Sequence, residues 1–355
     1  SNIISVVLCS KLIYVGAVIE LPSELAVKIN RMLFNFFWGK KPEAVNRDTM
    51  FLEFDKGGFK IINIQDKLIA LRVKHLCNMF DTEAKWKYFA IYWLGLSLRN
   101  YCAEFASNLL PHAETASVFY ANVLEHFRIL VTNSEDIGKI TTKKLYTMLQ
   151  DKKVVIPRIV GKFPRIDFGK VWCNIHASFV EARFREISWR IAHHVLPVGG
   201  YLYEKNISKI NTCFFCKNFE TLSHLFVFCA SVAPFWRYVE SVLSQYSGKS
   251  VKIDANAILF NLFNKSQDRL DNLIYNYALQ LGKYCIWFLR NQAKFENEKV
   301  SVTRIIVFFV SQIRLRILAD VVRFDREYFS KLWCKNNVFA KLTACGRAQV
   351  VLKPP

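Results

Sequence analysis

Four residues between positions 213 and 229 carry side chains that bind transition metals. Cys213, Cys216, His224 and Cys229 follow the spacing C-x2-C-x7-H-x4-C. Two thiolates across an x2 turn can reach one ion, and the backbone of such a turn can point its amides at the sulfurs. Three sulfurs and one imidazole suit Zn²⁺, and four protein ligands leave no position for a catalytic water. We therefore predict one structural zinc ion.

Two other interpretations of this cluster stay open from the residues alone. One is that the four side chains are ordinary buried cysteines and a histidine, since a C-x2-C pair by itself is a weak signal. The other is a redox pair, which needs a strand before it and a helix after it, and the polar "NISKINT" that precedes the pair fits this poorly. His193 and His194 precede the cluster, and we predict that they are core or surface residues.

The composition indicates a packed, strongly basic protein. The chain has 355 residues, of which 52% are hydrophobic, and this length allows two or three domains. Its 49 Lys and Arg against 29 Asp and Glu give a net charge of +20, which favours nucleic acid as a partner, with an acidic membrane surface second. Ten cysteines with one tight cluster indicate a reducing compartment. We expect an intracellular location, in the nucleus, the cytoplasm or both.

Two apolar runs are not predicted to span a membrane. The first opens the chain, but Lys11 interrupts it and no basic segment precedes it, so we interpret it as a buried helix of a longer polypeptide. The second, near residues 302–322, contains Arg304, Arg314, Arg316 and Asp320. We expect no membrane partner.

Helical periodicity dominates the chain, and Gly and Pro are sparse at 13 and 9. The predicted fold class is mainly α, with helical bundle segments, a small CCHC zinc-binding module and little β structure. A loop with a small hairpin is predicted within residues 40–65, around Gly57-Gly58. Helices are predicted at residues 3–20, 24–38, 66–80, 84–94, 115–131, 141–150, 168–195, from about 234, 268–294 and 301–320.

Basic residues concentrate just before the cysteine cluster. Residues 139–190 contain twelve basic and four acidic residues, a net charge of +8, with Phe and Trp interleaved. Basic side chains bind phosphates and aromatic rings stack on unpaired bases. Trp172 lies on the periodic apolar face, so we predict that it is a core residue. The candidate nucleic-acid contacts are Lys143, Lys144, Lys152, Lys153, Arg158, Arg183, Arg185 and Arg190.

The order of these features resembles the C-terminal zinc-binding segment of non-LTR (long-interspersed-element type) reverse transcriptases. That segment has a Trp-bearing helix ending near Leu-Pro, a Cys pair, Glu-Thr before a His, a last Cys and a following Trp. The matching residues are Trp189, Leu196-Pro197, Cys213, Cys216, Glu220-Thr221, His224, Cys229 and Trp236. Weaker similarity extends to the family's thumb at Tyr14, Leu21-Pro22 and Phe36-Phe37-Trp38, to its Gly-Gly element at Gly57-Gly58, and to its later helix at Lys283, Ile286-Trp287 and Arg290-Asn291.

The resemblance implies a division of the chain and a role for it. The implied segments are a thumb-like helical segment (1–50), a linker or connection region (51–165), the zinc-binding segment (166–242), a C-terminal helical region (243–330) and a tail (331–355). This region is implied to bind RNA and DNA next to the upstream polymerase domains of the same polyprotein, during target-primed reverse transcription.

The chain departs from the family at the catalytic motifs. The family's polymerase centre uses an Asp-Asp pair to hold Mg²⁺, and no Asp-Asp occurs here; the Pro-Asp of the nuclease found in some relatives is also missing. We therefore expect no enzymatic activity, no catalytic or cofactor-binding residues and no small-molecule substrate. A protein-docking or scaffold module stays the alternative, with Phe34, Phe36, Phe37 and Trp38 as its exposed surface.

Overall fold

The structure is a computed structural model that describes residues 9–39, 42–81, 83, 85–131, 137–296, 300–343 and 347–354. Across these residues helices dominate, and the β structure is one short antiparallel pair and an isolated bridge. The predicted fold class, mainly α with a small Cys-His module and little β, is confirmed.

The chain forms two compact units. Unit 1 comprises Ser1–Glu53 and Gly58–Ile156, and unit 2 comprises Phe54–Gly57 and Pro157–Pro355. The short insertion Phe54–Gly57 thus belongs to the later unit although it lies early in the sequence. The division into five segments stays a prediction.

Unit 1 is built around its fourth helix. This helix packs against the two helices that follow residue 117, and Leu76, Phe127 and Leu145 are buried in the shared core. The helix begins after Asn63, whose side chain accepts hydrogen bonds from the backbone amides of Gln65 and Asp66. The helices are α1 (Cys9–Gly16), α2 (Ser23–Trp38), α3 (Arg47–Phe51), α4 (Ile64–Asn78), α5 (Trp86–Leu94), α6 (Val118–Leu130) and α7 (Thr142–Asp151), with 3-10 turns at Leu96–Leu98, Ala103–Ala106 and Ile137–Lys139.

The hairpin predicted within residues 40–65 is wrong for the described residues of that stretch, which form α3 and a 3-10 turn at Phe54–Lys56. The Asn46 side chain accepts the amide of Asp48 and so starts a helix instead of a strand. A Cβ atom at Gly58 would lie 2.0 Å from the carbonyl oxygen of Leu52, so the glycine serves a close backbone approach.

The N-terminal helices differ from the prediction in length and exposure. α1 ends at Gly16, where a Cβ would meet Leu68 at 2.6 Å, and residues 3–8 of the predicted helix lie outside the described residues. In α2, Phe34 and Trp38 are buried and Phe36 is 55% exposed. The prediction that Phe34 and Trp38 are exposed is therefore wrong. Residues four positions apart lie on the same side of a helix, and here that side faces the core.

Unit 2 is organised by its longest helix, which packs against the neighbouring helices that begin at residues 182, 233 and 302. A two-stranded hairpin near the C-terminus pairs Ala340 with Val350. The elements are α8 (Arg158–Lys162), α9 (Phe168–Ile175), α10 (Ala182–Ala192), α11 (Gly199–Glu204), α12 (Ala233–Ser247), α13 (Ala255–Phe260), α14 (Arg269–Phe295), α15 (Val302–Arg323), α16 (Arg326–Trp333), β1 (Ala340–Leu342) and β2 (Ala348–Val350), with a 3-10 turn at Lys335–Asn337.

The single helix predicted over residues 168–195 is wrong, because the chain forms α9 and α10 there with a break between them. At the end of α9 the carbonyl oxygen of Asn174 accepts hydrogen bonds from the side chains of Asn276 at 2.7 Å and Gln280 at 3.0 Å. Gln280 also donates to the carbonyl of Ile175 at 3.3 Å. These donors from α14 satisfy carbonyls that a helix end leaves free, so α9 can stop inside the core.

Charged residues of α15 are bound within unit 2. The guanidinium of Arg316 lies 2.8 Å from Asp320, 3.0 Å from Glu181 and 4.2 Å from the centre of the Phe179 ring. Trp333 donates to Asp320 at 3.1 Å, so this carboxylate joins α15 to α16. Among the described residues, no helix combines the length and the apolar character needed to cross a bilayer.

A buried aromatic group in unit 2 surrounds the carbonyl oxygen of Gly57. Trp189 Nε1 donates to this oxygen at 2.9 Å, and His193 Nε2 lies 2.9 Å from it. The His193 ring stacks on Trp172 with 4.7 Å between centroids. Trp172 is 2% exposed, so the prediction that it is a core residue is confirmed. His193, predicted to be a core or surface residue, is buried at 8% exposure. Burial lowers the pKa of His193 to about 4.

The depressed pKa of His193 predicts a pH dependence of stability. The unfolded chain, in which the pKa is about 6.5, binds more protons than the folded chain between pH 6.5 and 4. Stability should therefore fall as the pH falls through this window, by roughly 3 kcal/mol for this group. His193→Gln keeps a donor for the Gly57 carbonyl but does not titrate. Between pH 6.5 and 4 the variant should therefore lose roughly 3 kcal/mol less of its free energy of unfolding than the wild type loses.

Urea unfolding of wild type and His193→Gln at several pH values measures this difference. Parallel profiles for wild type and His193→Gln would contradict the prediction.

Candidate metal centre

A tight hairpin places the first two cysteines on one side of the chain. Thr212 and Phe219 form a β-bridge that closes the hairpin, and the Lys217 amide donates to the Cys213 carbonyl at 2.9 Å. Lys217 adopts φ 67°, the left-handed conformation that lets the chain reverse direction after Cys216. Cys213 is buried and Cys216 is half-buried.

The other two candidate ligands lie at the first residue of a π-helical turn, His224–Phe228, and directly after it at Cys229. Thr221 starts this turn, since its hydroxyl oxygen accepts the His224 amide at 2.9 Å. In an α-helix, side chains five positions apart point roughly 140° away from each other. The wider i to i+5 winding of a π turn returns them to one side. His224 and Cys229 therefore face the hairpin together because this segment leaves ordinary α geometry.

The four ligand atoms converge on one small volume. All of them lie within 4.8 Å of one another. The sulfurs of Cys213 and Cys229 are 3.9 Å apart, and the sulfur of Cys216 is 3.1 Å from Nε2 of His224. Bonds of about 2.3 Å to sulfur and about 2.0 Å to nitrogen separate the ligand atoms of a tetrahedral zinc ion by roughly 3.3 to 3.8 Å. The donor set and its spacing suggest a zinc ion.

Backbone amides surround the two buried sulfurs. The hydrogen bond that the Cys213 thiol donates to Cys229, together with burial, raises the pKa of Cys213, and the same bond lowers the pKa of Cys229. The amides of Cys216 and Phe215 point at the Cys213 sulfur, and the amide of Ser231 points at the Cys229 sulfur. Such donors stabilise thiolates, the form of cysteine that binds metal. The expected amide-to-sulfur geometry is confirmed for Cys213.

A buried ion pair fixes the hairpin to α14. Glu220 follows the hairpin directly, and its carboxylate receives Arg290 Nε at 3.0 Å and Nη2 at 2.5 Å. The two side chains are 0% and 1% exposed. The Gly199 amide donates to the same carboxylate at 2.5 Å. The Arg290 guanidinium also lies 5.3 Å from the centre of the Phe214 ring, inside the CFFC turn. The candidate metal turn is therefore connected to the longest helix through one arginine.

The glycine pair before the cluster has a packing role. A Cβ atom at Gly199 would lie 3.0 Å from Glu220 Oε2, and one at Gly200 would lie 2.9 Å from the Glu220 carbonyl oxygen. The Gly200 amide donates to that same carbonyl at 2.9 Å. After the π turn, Trp236 Nε1 donates to the carbonyl of Phe226 at 2.8 Å. Both ends of the cluster are thus bound to neighbouring helices, one by a backbone hydrogen bond and the other by the Trp236 side chain.

Four of the candidate nucleic-acid residues lie in unit 1, on or just after α7. Lys143 and Lys144 are exposed, and their ammonium groups have no partner among the residues the structure describes. Lys152 donates to the Ile129 carbonyl at 2.7 Å. Lys153 forms a 2.6 Å ion pair with Asp66. The assignment of these four lysines as phosphate contacts stays a prediction. Lys143 and Lys144 are the strongest candidates, because their ammonium groups are exposed and have no partner among the described residues.

The other four candidates lie in unit 2. Arg158 is exposed, and no partner for its guanidinium is found within the described ranges. Arg183 is exposed and donates to Gln312 at 2.8 Å, with its guanidinium 4.7 Å from the centre of the Phe184 ring. Arg185 is half-buried, and Arg190 pairs with Glu186 at 2.8 Å. The nucleic-acid assignment of these arginines also stays a prediction.

Sequence reasoning placed Glu220 and Arg290 in family-like motifs and gave neither of them a partner. The available signal was the charge of Arg290, because a charged residue within an otherwise apolar helix segment needs a counter-charge when it is buried. Their separation of 70 positions hides the pairing from any local pattern.

Loss of the hairpin thiols should abolish zinc binding. The variant Cys213→Ser, Cys216→Ser leaves two of four ligands, which is too few for a closed zinc site. We expect about one zinc per chain in the wild type and almost none in the variant, by elemental mass spectrometry of the purified chains. Cys173→Ser, at an exposed cysteine on α9, should keep its zinc. Equal zinc contents in the wild type and in the variant Cys213→Ser, Cys216→Ser would refute the site.

Removing one partner of the buried ion pair should destabilise unit 2. Glu220→Gln keeps the shape and an acceptor for Gly199, but it leaves the Arg290 charge buried without a counter-ion. We expect a loss of about 3–5 kcal/mol in the free energy of unfolding, measured by urea titration. The matched control is Glu327→Gln, whose partner Lys331 is exposed, and it should change stability little. Similar effects of the two substitutions would contradict this role.

Comparison with known proteins agrees with this geometry. Residues 141–236 match the model of the protein family described as zinc-binding in reverse transcriptase. The matched stretch contains all four candidate ligands and ends at Trp236. No curated protein matches the chain. The chain therefore carries a zinc-binding region related to that of reverse transcriptases.

Proposed function

We propose that this chain is the non-catalytic C-terminal region of a LINE-type (non-LTR) reverse transcriptase, and that it binds RNA or DNA during target-primed reverse transcription. The observation that carries the proposal is the coincidence of the family match at residues 141–236 with four metal-binding atoms within 4.8 Å. Arg290 supports the subtype, because it belongs to the LINE-like helix motif outside the match and pairs with Glu220 inside it.

One zinc ion per chain has a structural role in this proposal. Four protein donors complete a tetrahedron, and no coordination position is left for a reacting water. The segment from residue 212 to 229 is short, so metal binding and its folding are coupled. Zinc then holds the CFFC turn against the π turn, and the Glu220–Arg290 pair attaches both to α14.

Nucleic-acid binding rests on charge and exposure. The net charge of +20 attracts phosphate backbones at long range. Lys143, Lys144 and Arg158 present cations without partners among the described residues, and they are the first candidates for phosphate contact. Lys153 and Arg190 already pair with carboxylates, so we expect smaller contributions from them.

The proposal assigns polymerisation to upstream domains of the same polyprotein. This chain lacks the Asp-Asp pair on which the family's metal-dependent phosphoryl transfer depends. Its partners are then nucleic acid and the polymerase domains, without a small-molecule substrate or a membrane. It acts inside the cell, where its template and target meet, in the nucleus, the cytoplasm or both.

A protein-docking or scaffold module is the second candidate, and one observation in unit 1 favours it. Tyr14, Val18 and Ile19 are 86%, 68% and 63% exposed, and Phe36 on α2 is also exposed. Large apolar side chains with this much exposure are typical of protein interfaces. Binding through them would resist salt, whereas binding to phosphates weakens steeply as salt is added.

Salt-dependent RNA binding tests the proposal. We expect the zinc-bound chain to bind a labelled single-stranded RNA, with an affinity that falls linearly on a log–log plot against KCl concentration. Lys143→Glu, Lys144→Glu removes two phosphate contacts, so the slope should decrease by about 1.4. The control Lys11→Glu, Lys28→Glu makes the same charge change at exposed positions of α1 and α2, and its slope should stay near wild type. Absent or salt-insensitive RNA binding would overturn the nucleic-acid role.

A further inference from the structure

Unit 2 contains a basic groove whose lining includes none of the eight candidate nucleic-acid residues. A groove of about 1110 Å³ is lined by residues before and at the start of α9, by the end of α12 and by the chain from residue 249 to 275. Arg165, Lys249, Lys252 and Lys265 line it and are exposed. Their charged groups have no partner within the part of the chain that the structure describes.

Each acidic residue of this groove has a hydrogen-bond or ion-pair partner within unit 2. Asp167 accepts the Lys170 amide at 3.1 Å and pairs with the Lys170 ammonium at 3.1 Å. Asp254 caps α13 by accepting the Ala257 amide at 2.8 Å. Asp271 pairs with Lys335 at 2.5 Å. Asp254 accepts only an amide hydrogen and keeps its charge. With Lys170 included, five cations and three carboxylates line the groove, so a ligand meets a net charge of +2, and four of the cations are exposed and unpaired among the described residues.

Two aromatic rings lie in the same groove. Phe263 and Tyr275 are half-buried, with 4.4 Å between ring centroids. The Tyr275 hydroxyl donates to the Lys252 carbonyl at 3.2 Å, which holds the ring beside a basic segment. Partly exposed rings among unpaired cations are the combination that proteins use for unpaired bases and their phosphates.

We propose that this groove binds a single-stranded segment of nucleic acid. Phosphates lie against Lys249, Lys252 and Lys265, and a base stacks on the Phe263–Tyr275 pair. The inference rests on the proposed function, in which nucleic acid is the partner. It adds the groove as the binding site and a single strand as the form of nucleic acid bound there. The volume of about 1110 Å³ lies at the upper limit of about 1,000 Å³ for small-molecule sites, so it leaves room for a segment of a nucleic-acid strand. Stacking requires an unpaired base, so a duplex should bind more weakly.

Charge reversal in the groove tests the phosphate contacts. Lys249→Glu, Lys252→Glu, Lys265→Glu should lower the salt slope for single-stranded RNA by about 2, because three contacts are lost at about 0.7 each. Arg237→Glu, Lys341→Glu, Lys353→Glu makes the same charge change at exposed positions outside the groove lining, and it should keep a slope near wild type. Zinc content and urea midpoint confirm that each variant is folded.

Replacing one aromatic face tests stacking. Phe263→Leu keeps an apolar side chain and removes the ring, so single-stranded affinity should fall roughly 5- to 100-fold while duplex affinity changes little. RNA carrying 4-thiouridine should crosslink to the peptides that contain Phe263 or Tyr275. The same sequence as RNA and as DNA shows which strand chemistry the groove prefers, and either preference supports the proposal.

The outcomes separate this inference from the proposed function. Nucleic-acid binding by wild type that is unchanged in the groove triple variant and in Phe263→Leu overturns the groove and leaves the proposed function standing. An equal loss in the groove variant and its control also overturns it, since charge alone would then explain the effect. Failure of wild type to bind any nucleic acid overturns both.

Discussion

The buried pair of Glu220 and Arg290 is the interaction on which the rest of the candidate centre depends. Two charges with almost no exposure are tolerated only when their hydrogen-bonding capacity is used, and here it is: the carboxylate also accepts the Gly199 amide, and the guanidinium reaches Asn291 at 3.1 Å. Glu220 ends the cysteine hairpin, and Arg290 lies near the end of α14. A small hairpin is thereby given a fixed position on a large helix.

α14 supplies polar contacts to more than the metal turn. Asn276 and Gln280 terminate α9, and Lys283 donates to the side chain of Asn261 from a fully buried position. Burial holds the pKa of Lys283 well below its ordinary value. One helix therefore fixes where α9 ends, how the chain turns at Asn261 and where the cysteine hairpin docks. The four candidate zinc ligands, in contrast, are groups that are already close in sequence.

The basic surface follows partly from how the acidic residues are used. Glu220, Asp320 and Asp271 are paired within unit 2, and Asp66 pairs with Lys153 in unit 1. Carboxylates held in the interior or in ion pairs do not offset the exposed lysines. An exposed lysine without a partner keeps its attraction for phosphate, and its long side chain adapts to an irregular strand.

The sequence by itself determined the helical fold class, most helix positions in both units, and the four candidate metal ligands, because periodicity and short spacings are local properties. It did not determine the break between α9 and α10, since the apolar period continues and only donors from α14, about a hundred positions later, end the first helix. The π turn that aligns His224 with Cys229 and the partner of Glu220 were likewise decided by tertiary structure. The same holds for Phe34 and Trp38, whose exposure depends on which side of α2 the core covers. Contacts between distant residues have no local signature, because a buried polar group takes whichever partner the folded chain brings within hydrogen-bond distance.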